Sequence, residues 1–175
     1  MSTLEREDFE RAASYWDCKE AARSDSEVMP REDLRVEINR FLREHNTCAL
    51  ATGAGDYVRC TPLEYLWEDG AFWIFSEGGR KFVGLERNAN VSLAVFEPYE
   101  GFGRLASMQV MGKAEVVDPA SPEFTRALGY RGIPASKADK IAQMLHVIKV
   151  TPVEADYLCS ALKEKGYDFR QHLVW

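Results

Sequence analysis

Hydrophobic positions change period twice along this chain. Over residues 5–22, Phe9, Ala12, Ala13 and Trp16 recur at spacings of three and four, which predicts a helix. "RSDSEVMP" breaks that pattern and reads as a connector. From Pro30 a clearer helix follows. Proline suits a first turn, Glu32 and Asp33 favour the positive N-terminal end, and Leu34, Ile38, Phe41 and Leu42 form one apolar stripe.

At Thr47 the period shortens to that of strands. "TCALATG" predicts a first strand, "GAGD" a turn, "YVRCTPLEYLWE" a second strand, "EDG" a hairpin turn and "AFWIFS" a third strand. "GRKFVGLERN" then has a short helical pattern with Phe82 and Leu85 inward. "NVSLAVFEP" is a fourth strand, "YEGFGR" a glycine-rich loop and "LASMQVMGKAEVVD" a long fifth strand bent at Gly112. After two helical stretches ("SPEFTRALGY", "PASKADKIAQML"), "HVIKVTPVEADYL" is a sixth strand. The tail starts helical and ends on Trp175. Turns between strands one to three are too short for parallel crossovers. The pattern therefore predicts a mainly β protein with flanking helices: a small six-stranded antiparallel barrel. Residues 1–28 read as a helical extension and 29–175 as the domain.

Composition narrows the function. A net charge of −6 argues against a nucleic-acid surface, without excluding a local site for one small anion. No apolar run approaches a membrane span, and the charged N-terminus has no signal-peptide core, so a cytoplasmic protein is expected. Cys18, Cys48, Cys60 and Cys159 with His45, His146 and His172 show no zinc spacing. No metal site and no nucleophile–base pair emerge.

Three local features carry candidate chemistry. In "SEGGRK", the glycine turn offers backbone N–H donors, Ser76 a hydroxyl, and Arg80 and Lys81 charge for a phosphate. On local grounds alone it reads more readily as a solvated basic turn. Arg59 shares a strand face with Thr61 and Leu63, while Pro62 marks an edge, a bulge or a gap in pairing. On the fifth strand Ser107, Gln109 and Met111 share a face. "GAGD" lacks the third glycine and the following helix of a dinucleotide fingerprint.

Taken in order, "CALATG", "VRCTPLEY", "FWIFSEGGRKFVGLERNANVSLAVFEP", "MQVMGKAEVVD" and "VIKVTP" resemble the pyridoxamine-5′-phosphate-oxidase-like flavoproteins. The resemblance implies the FMN-binding split barrel, of Greek-key type, with FMN at a homodimer interface and ligands from both subunits. It implies that Arg59, Cys60, Thr61 and Pro62 line the flavin ring. Phe75 and Ser76 would lie near the ribityl-phosphate, and Arg80 and Lys81 would hold the phosphate. Ser107 falls where the oxidases place a flavin-contacting glutamine, and Gln109 follows two residues on; either could serve.

Glu64 stands where the vitamin oxidases carry a phosphate-binding lysine, and Arg170-Gln171-His172 only echoes their arginine-x-histidine signature. The implied activity is therefore an FMN-dependent oxidoreductase acting on a small flat substrate, akin to the nitroimidazole-reductase-like branch. The alternative is a flavin- or haem-binding protein of the same fold without turnover.

Overall fold

The computed structural model describes residues 5–175. Residues 1–4 of the expected extension lie outside the described residues. The expected single helix over 5–22 is two, α1 (Arg6–Ala13) and α2 (Tyr15–Ala21), parted at Ser14, and neither buries a residue. The break lies where Ser14 leaves helical geometry and its hydroxyl donates to the Arg11 carbonyl.

Helix α3 (Arg31–Glu44) follows the predicted stripe. Leu34, Ile38, Phe41 and Leu42 are all buried and join the main core. Strands β1 (Thr47–Ala54) and β2 (Tyr57–Glu64) form a hairpin closed at Gly55, whose φ of 58° suits glycine. Strands β3 (Leu66–Glu68) and β4 (Ala71–Ser76) form the second, through Asp69 and Gly70 at φ 51° and 72°. Two consecutive positive φ values are what a type I′ hairpin turn requires.

After helix α4 (Lys81–Leu85) come β5 (Asn90–Phe96) and β6 (Ala106–Val116). Helices α5 (Pro122–Tyr130) and α6 (Ala138–Ala142) precede the long β7 (His146–Cys159) and the final β8 (Arg170–Val174). The sheet runs β2-β1-β5-β6-β7-β4-β3, with β8 paired to β7. Every ladder is antiparallel.

The two ends of that path, β2 and β3, are joined in sequence by Tyr65 alone. The sheet must therefore curl until its ends meet, which makes a barrel split between β2 and β4. This is the expected split-barrel class, with eight strands where periodicity counted six. Tyr65 divides the predicted second strand because its N–H donates to the Asn46 carbonyl and its hydroxyl to the Leu42 carbonyl. The eighth strand is the C-terminal tail, whose edge is held by the N-terminal segment. Buried Gln171 accepts from the Met29 N–H and donates to the carbonyls of Glu27 and Asp168.

The barrel interior is filled by Leu50, Leu93, Val95, Met108, Val110, Ile148 and Tyr157 with the α3 stripe. A second cluster (Trp73, Val147, Phe124, Ala127, Leu128) packs α5 on the outside of β4 and β7. The predicted bend at Gly112 coincides with a register shift against β7. A Cβ at Gly112 would meet Val150 Cγ1 at 2.8 Å and the Thr151 carbonyl at 2.9 Å, so the close approach requires glycine.

Candidate functional site

The loop leaving β4 carries a buried polar group. Ser76 is buried at the strand end, and its hydroxyl donates to the Gly78 carbonyl at 3.1 Å. Lys81 is only 4% exposed, and its Nζ donates to the same carbonyl. Gly78 and Gly79 hold φ values of 135° and 104°, which lets the chain fold back over these two side chains. Tyr57 at the start of β2 donates its hydroxyl to the Arg80 carbonyl at 2.8 Å, tying the turn to the edge strand.

Helix α4 is seated tightly on β1. Asn88 donates to the Gly53 carbonyl at 2.9 Å, and a Cβ at Gly84 would lie 3.0 Å from Thr52 Cβ.

The turn brings like charges together. Burial first, and the charge of Arg59 second, lower the pKa of the Lys81 ammonium. Arg59 thus stands close enough to act on Lys81, and among the described residues no carboxylate pairs with either cation or with Arg80. On β2 the alternation places Tyr57, Arg59, Thr61 and Leu63 on the face shared with Thr52 of β1, because Thr52 pairs Arg59 and Leu50 pairs Thr61. The hydroxyl oxygens of Thr52 and Thr61 are buried and lack a hydrogen-bond partner. A buried hydroxyl without a partner is costly.

Ser76, Arg59, Thr61, Arg80 and Lys81 are thus gathered at one end of the split. Cys60 and Pro62 lie on the other face of β2, which is an edge strand paired only with β1, as Pro62 foretold. Phe75 is not brought to Ser76. Alternation turns it to the outside, where it packs against the α5 cluster beneath the Arg131 guanidinium at 4.8 Å.

Ser107 and Gln109 share the outward face of β6. Gln109 pairs Ala94, Ala94 pairs Ala49 and Ala49 pairs Pro62, so Gln109 and Pro62 lie in one row, three strands and about 14 Å apart. The single chain does not bring Ser107 and Gln109 to Arg59 and Lys81. That outward face carries exposed Val58, Phe96 and Met111, with Val58 80% exposed.

Some polar groups had no signal in the local pattern. Arg131, following α5, donates to Glu64 at 2.6 Å across the split. On the outward face of β7 and β8, Asp156 pairs with Arg170 at 2.8 Å and holds His172 Nδ1 at 3.0 Å, and Arg170 reaches Glu20 of α2 at 3.2 Å. Their partners are distant in sequence, so spacing could not reveal them. Among the described residues, no cluster of three or more His, Cys, Asp or Glu could hold a metal ion, and no helix is long and apolar enough to cross a membrane.

A family model described as pyridoxamine 5′-phosphate oxidase matches residues 34–159. No curated protein matches the chain. Among solved structures, the fold is similar to that of the haem storage protein HutZ from Vibrio cholerae, with TM-score 0.56 and 19% identity over 68% of this chain and 89% of that one. It is also similar to an FAD-binding protein from Mesorhizobium loti, with TM-score 0.55 and 18% identity over 69% and 89%. A third is a protein of the pyridoxinephosphate oxidase family from Clostridium acetobutylicum, related to general stress protein 26. Its TM-score is 0.57, with 18% identity over 83% and 96%. At these identities the likeness is one of fold.

Proposed function

Because the chain belongs to the pyridoxamine 5′-phosphate oxidase family, we propose that it binds FMN and acts as an oxidoreductase on a small flat substrate. One observation carries the cofactor reading: buried Lys81 stands beside Arg59 with, among the described residues, no carboxylate to balance either. A terminal phosphate dianion is the group that two such cations match. The residues fit the cofactor on a second count, since Thr61 keeps a buried hydroxyl without a partner on the strand expected to line the ring.

In this reading Lys81, Arg80 and Ser76 hold the phosphate, while Arg59, Cys60, Thr61 and Pro62 border the ring. When bound, flavin supplies hydride transfer. The chain's own part is positional and electrostatic. Lys81 and Arg80 neutralise the phosphate, Arg59 adds its charge from β2 where it borders the ring, and the β2 edge offers backbone groups that β1 leaves free.

The site is completed by a second copy of the chain in this proposal. The outward sheet face, with Val58, Phe96 and Met111 uncovered, supports it, as does the separation of Gln109 from Pro62. The test is direct. Purified protein should be yellow and release FMN, rather than FAD, on denaturation, as identified by mass spectrometry. Colourless protein that takes up no added FMN would sink the reading. Anaerobic turnover of nitro compounds with reduced nicotinamide tests the reductase activity.

A second reading, haem binding, has its own observation. Asp156 holds His172 at Nδ1, and a carboxylate on one ring nitrogen is the usual support of a metal-ligating imidazole. A Soret band on adding haem, abolished by His172→Ala, would favour it over flavin.

A further inference from the structure

The hairpin of β5 and β6 ends in a loop that presents aromatic rings to solvent. Tyr99 is 67% exposed and Phe102 87%, and their rings meet edge to face at 6.1 Å. The loop is held in shape by the chain after β7. The Ser160 hydroxyl donates to the Phe102 carbonyl at 2.6 Å and accepts from the Leu105 N–H at 3.0 Å. At the opposite end of the same hairpin, an apolar groove of about 390 Å³ runs between α4 and the end of β6. Phe82, Val83, Leu85, Glu86 and Val116 line it. Rings and groove both leave apolar surface in water. We propose that Tyr99 and Phe102 of one copy of this chain occupy that groove on a second copy, twice over in a twofold dimer, which rests on the reading that a second copy completes the site.

The geometry allows few alternatives. Phe96 and Met111 put exposed apolar surface on the outward face of this hairpin. Two sheets packed face to face keep their strand directions within about 30° of each other. A twofold axis lying in such an interface runs either along the strands or across them. Along them, it sets loop on loop. Across them, it sets each loop on the α4 end of the other copy. The β5–β6 ladder extends from Phe96 opposite Ser107 to Asn90 opposite Lys113, a span of about 20 Å. An axis crossing its middle lays Phe96 of one copy near Asn90 of the other. The loop then continues past Asn90 and meets α4, the element that precedes β5.

Charge decides between the two axes. The loop carries Glu97 and Glu100, with Arg104 already paired to Glu100 at 2.8 Å. The other end carries Arg87 and Lys113. Among the described residues neither has a carboxylate partner, and the Lys113 ammonium donates to the Asn90 side chain. Loop on loop would set Glu97 and Glu100 against copies of themselves. Loop on groove sets them beside cations while the rings fill the apolar floor. The groove begins at Phe82, the residue after Lys81, so the partner's loop closes the site next to the cation turn.

Disulfide trapping tests this contact. In a Cys18→Ser, Cys60→Ser background, Val83→Cys and Phe102→Cys are made singly and together, and each protein is oxidised with copper phenanthroline. Val83 and Phe102 are both exposed, so the core is left intact. Within one chain they flank a ladder about 20 Å long, beyond the roughly 7 Å between Cα atoms that a disulfide spans. The double variant should give a covalent dimer linked from 83 to 102, as located by mass spectrometry, and each single variant none. Tyr99→Ala with Phe102→Ala should raise the dimer dissociation constant about tenfold or more in sedimentation. A dimer trapped by Phe102→Cys alone, absence of the 83–102 link, or a dissociation constant unmoved by the two alanines would overturn the inference. Trapping needs no flavin, so the outcomes separate. Yellow protein that releases FMN yet does not trap keeps the cofactor reading and removes this contact; colourless protein that traps does the reverse.

Discussion

The buried ammonium of Lys81, at the start of α4, feels the charge of Arg59 on β2, and among the described residues no carboxylate pairs with either. Like charges brought together at the cost of desolvation are a standing strain in the ligand-free protein. In the proposed reading an anion relieves it, and the consequences can be measured.

Removing the cations should remove the cofactor. Arg80→Ala with Lys81→Met, which keeps the buried stem, deletes charge-assisted bonds worth about 1.5–3 kcal/mol each. FMN affinity should fall about a hundredfold or more, as read by fluorescence titration. Unchanged affinity would take both residues out of the phosphate site.

Anion stabilisation should depend on pH in a defined direction. Lys81 titrates lower in the folded protein than in the unfolded chain. Between those two pKa values the unfolded chain binds more protons, so ligand-free stability rises with pH across the window and is lowest beneath it. Sulfate, whose charge is constant over this range, should raise Tm most below the folded-state pKa of Lys81. Its effect should fade as pH rises through that value, and Lys81→Met should abolish this dependence. A sulfate effect independent of pH in both proteins would contradict the assignment.

Seating of α4 should matter as much as charge. Gly84→Ala would place a Cβ 3.0 Å from Thr52 Cβ and 3.1 Å from the Gly53 nitrogen. Overpacking of this kind costs about 1–3 kcal/mol. The turn that carries Arg80 and Lys81 should shift with the helix. Both denaturant midpoint and FMN affinity are expected to fall, whereas Gly103→Ala, with open space around it, should change neither.

Flavin binding and self-association should fail together. Phe96→Asp with Met111→Asp charges the outward sheet face without touching the phosphate turn. Sedimentation should show a dimer become a monomer, with flavin lost in the same sample. A monomer that keeps FMN at full affinity would refute a site shared between copies.

The N-terminal segment should come loose without Gln171. Its side chain makes three hydrogen bonds to residues 27, 29 and 168. Gln171→Ala leaves buried backbone groups unmatched, at about 1–3 kcal/mol each. A lower urea midpoint and new proteolytic cleavage between residues 21 and 31 are the expected results.

Much of this molecule was written locally. The stripe of α3, the two-residue turns at Gly55 and Asp69–Gly70, the edge role of Pro62 and the bend at Gly112 each follow from backbone sterics or a short period. Residues two to four apart enforce such features, so a single stretch displays them. The basic turn "SEGGRK" was also legible, as a candidate.

Tertiary structure decided what depends on partners far away in sequence. The glycine turn folds Lys81 back onto Gly78 and buries it, and curling of the sheet brings Arg59 near. That separates this turn from a solvated loop. Strand alternation in the folded barrel sends Phe75 to the outer layer, away from Ser76. Closure of the sheet ends sets Arg131 against Glu64, a pairing 67 residues apart. Charge and burial are properties of neighbourhood in space, and the chain carries them only once its long-range ladders are formed.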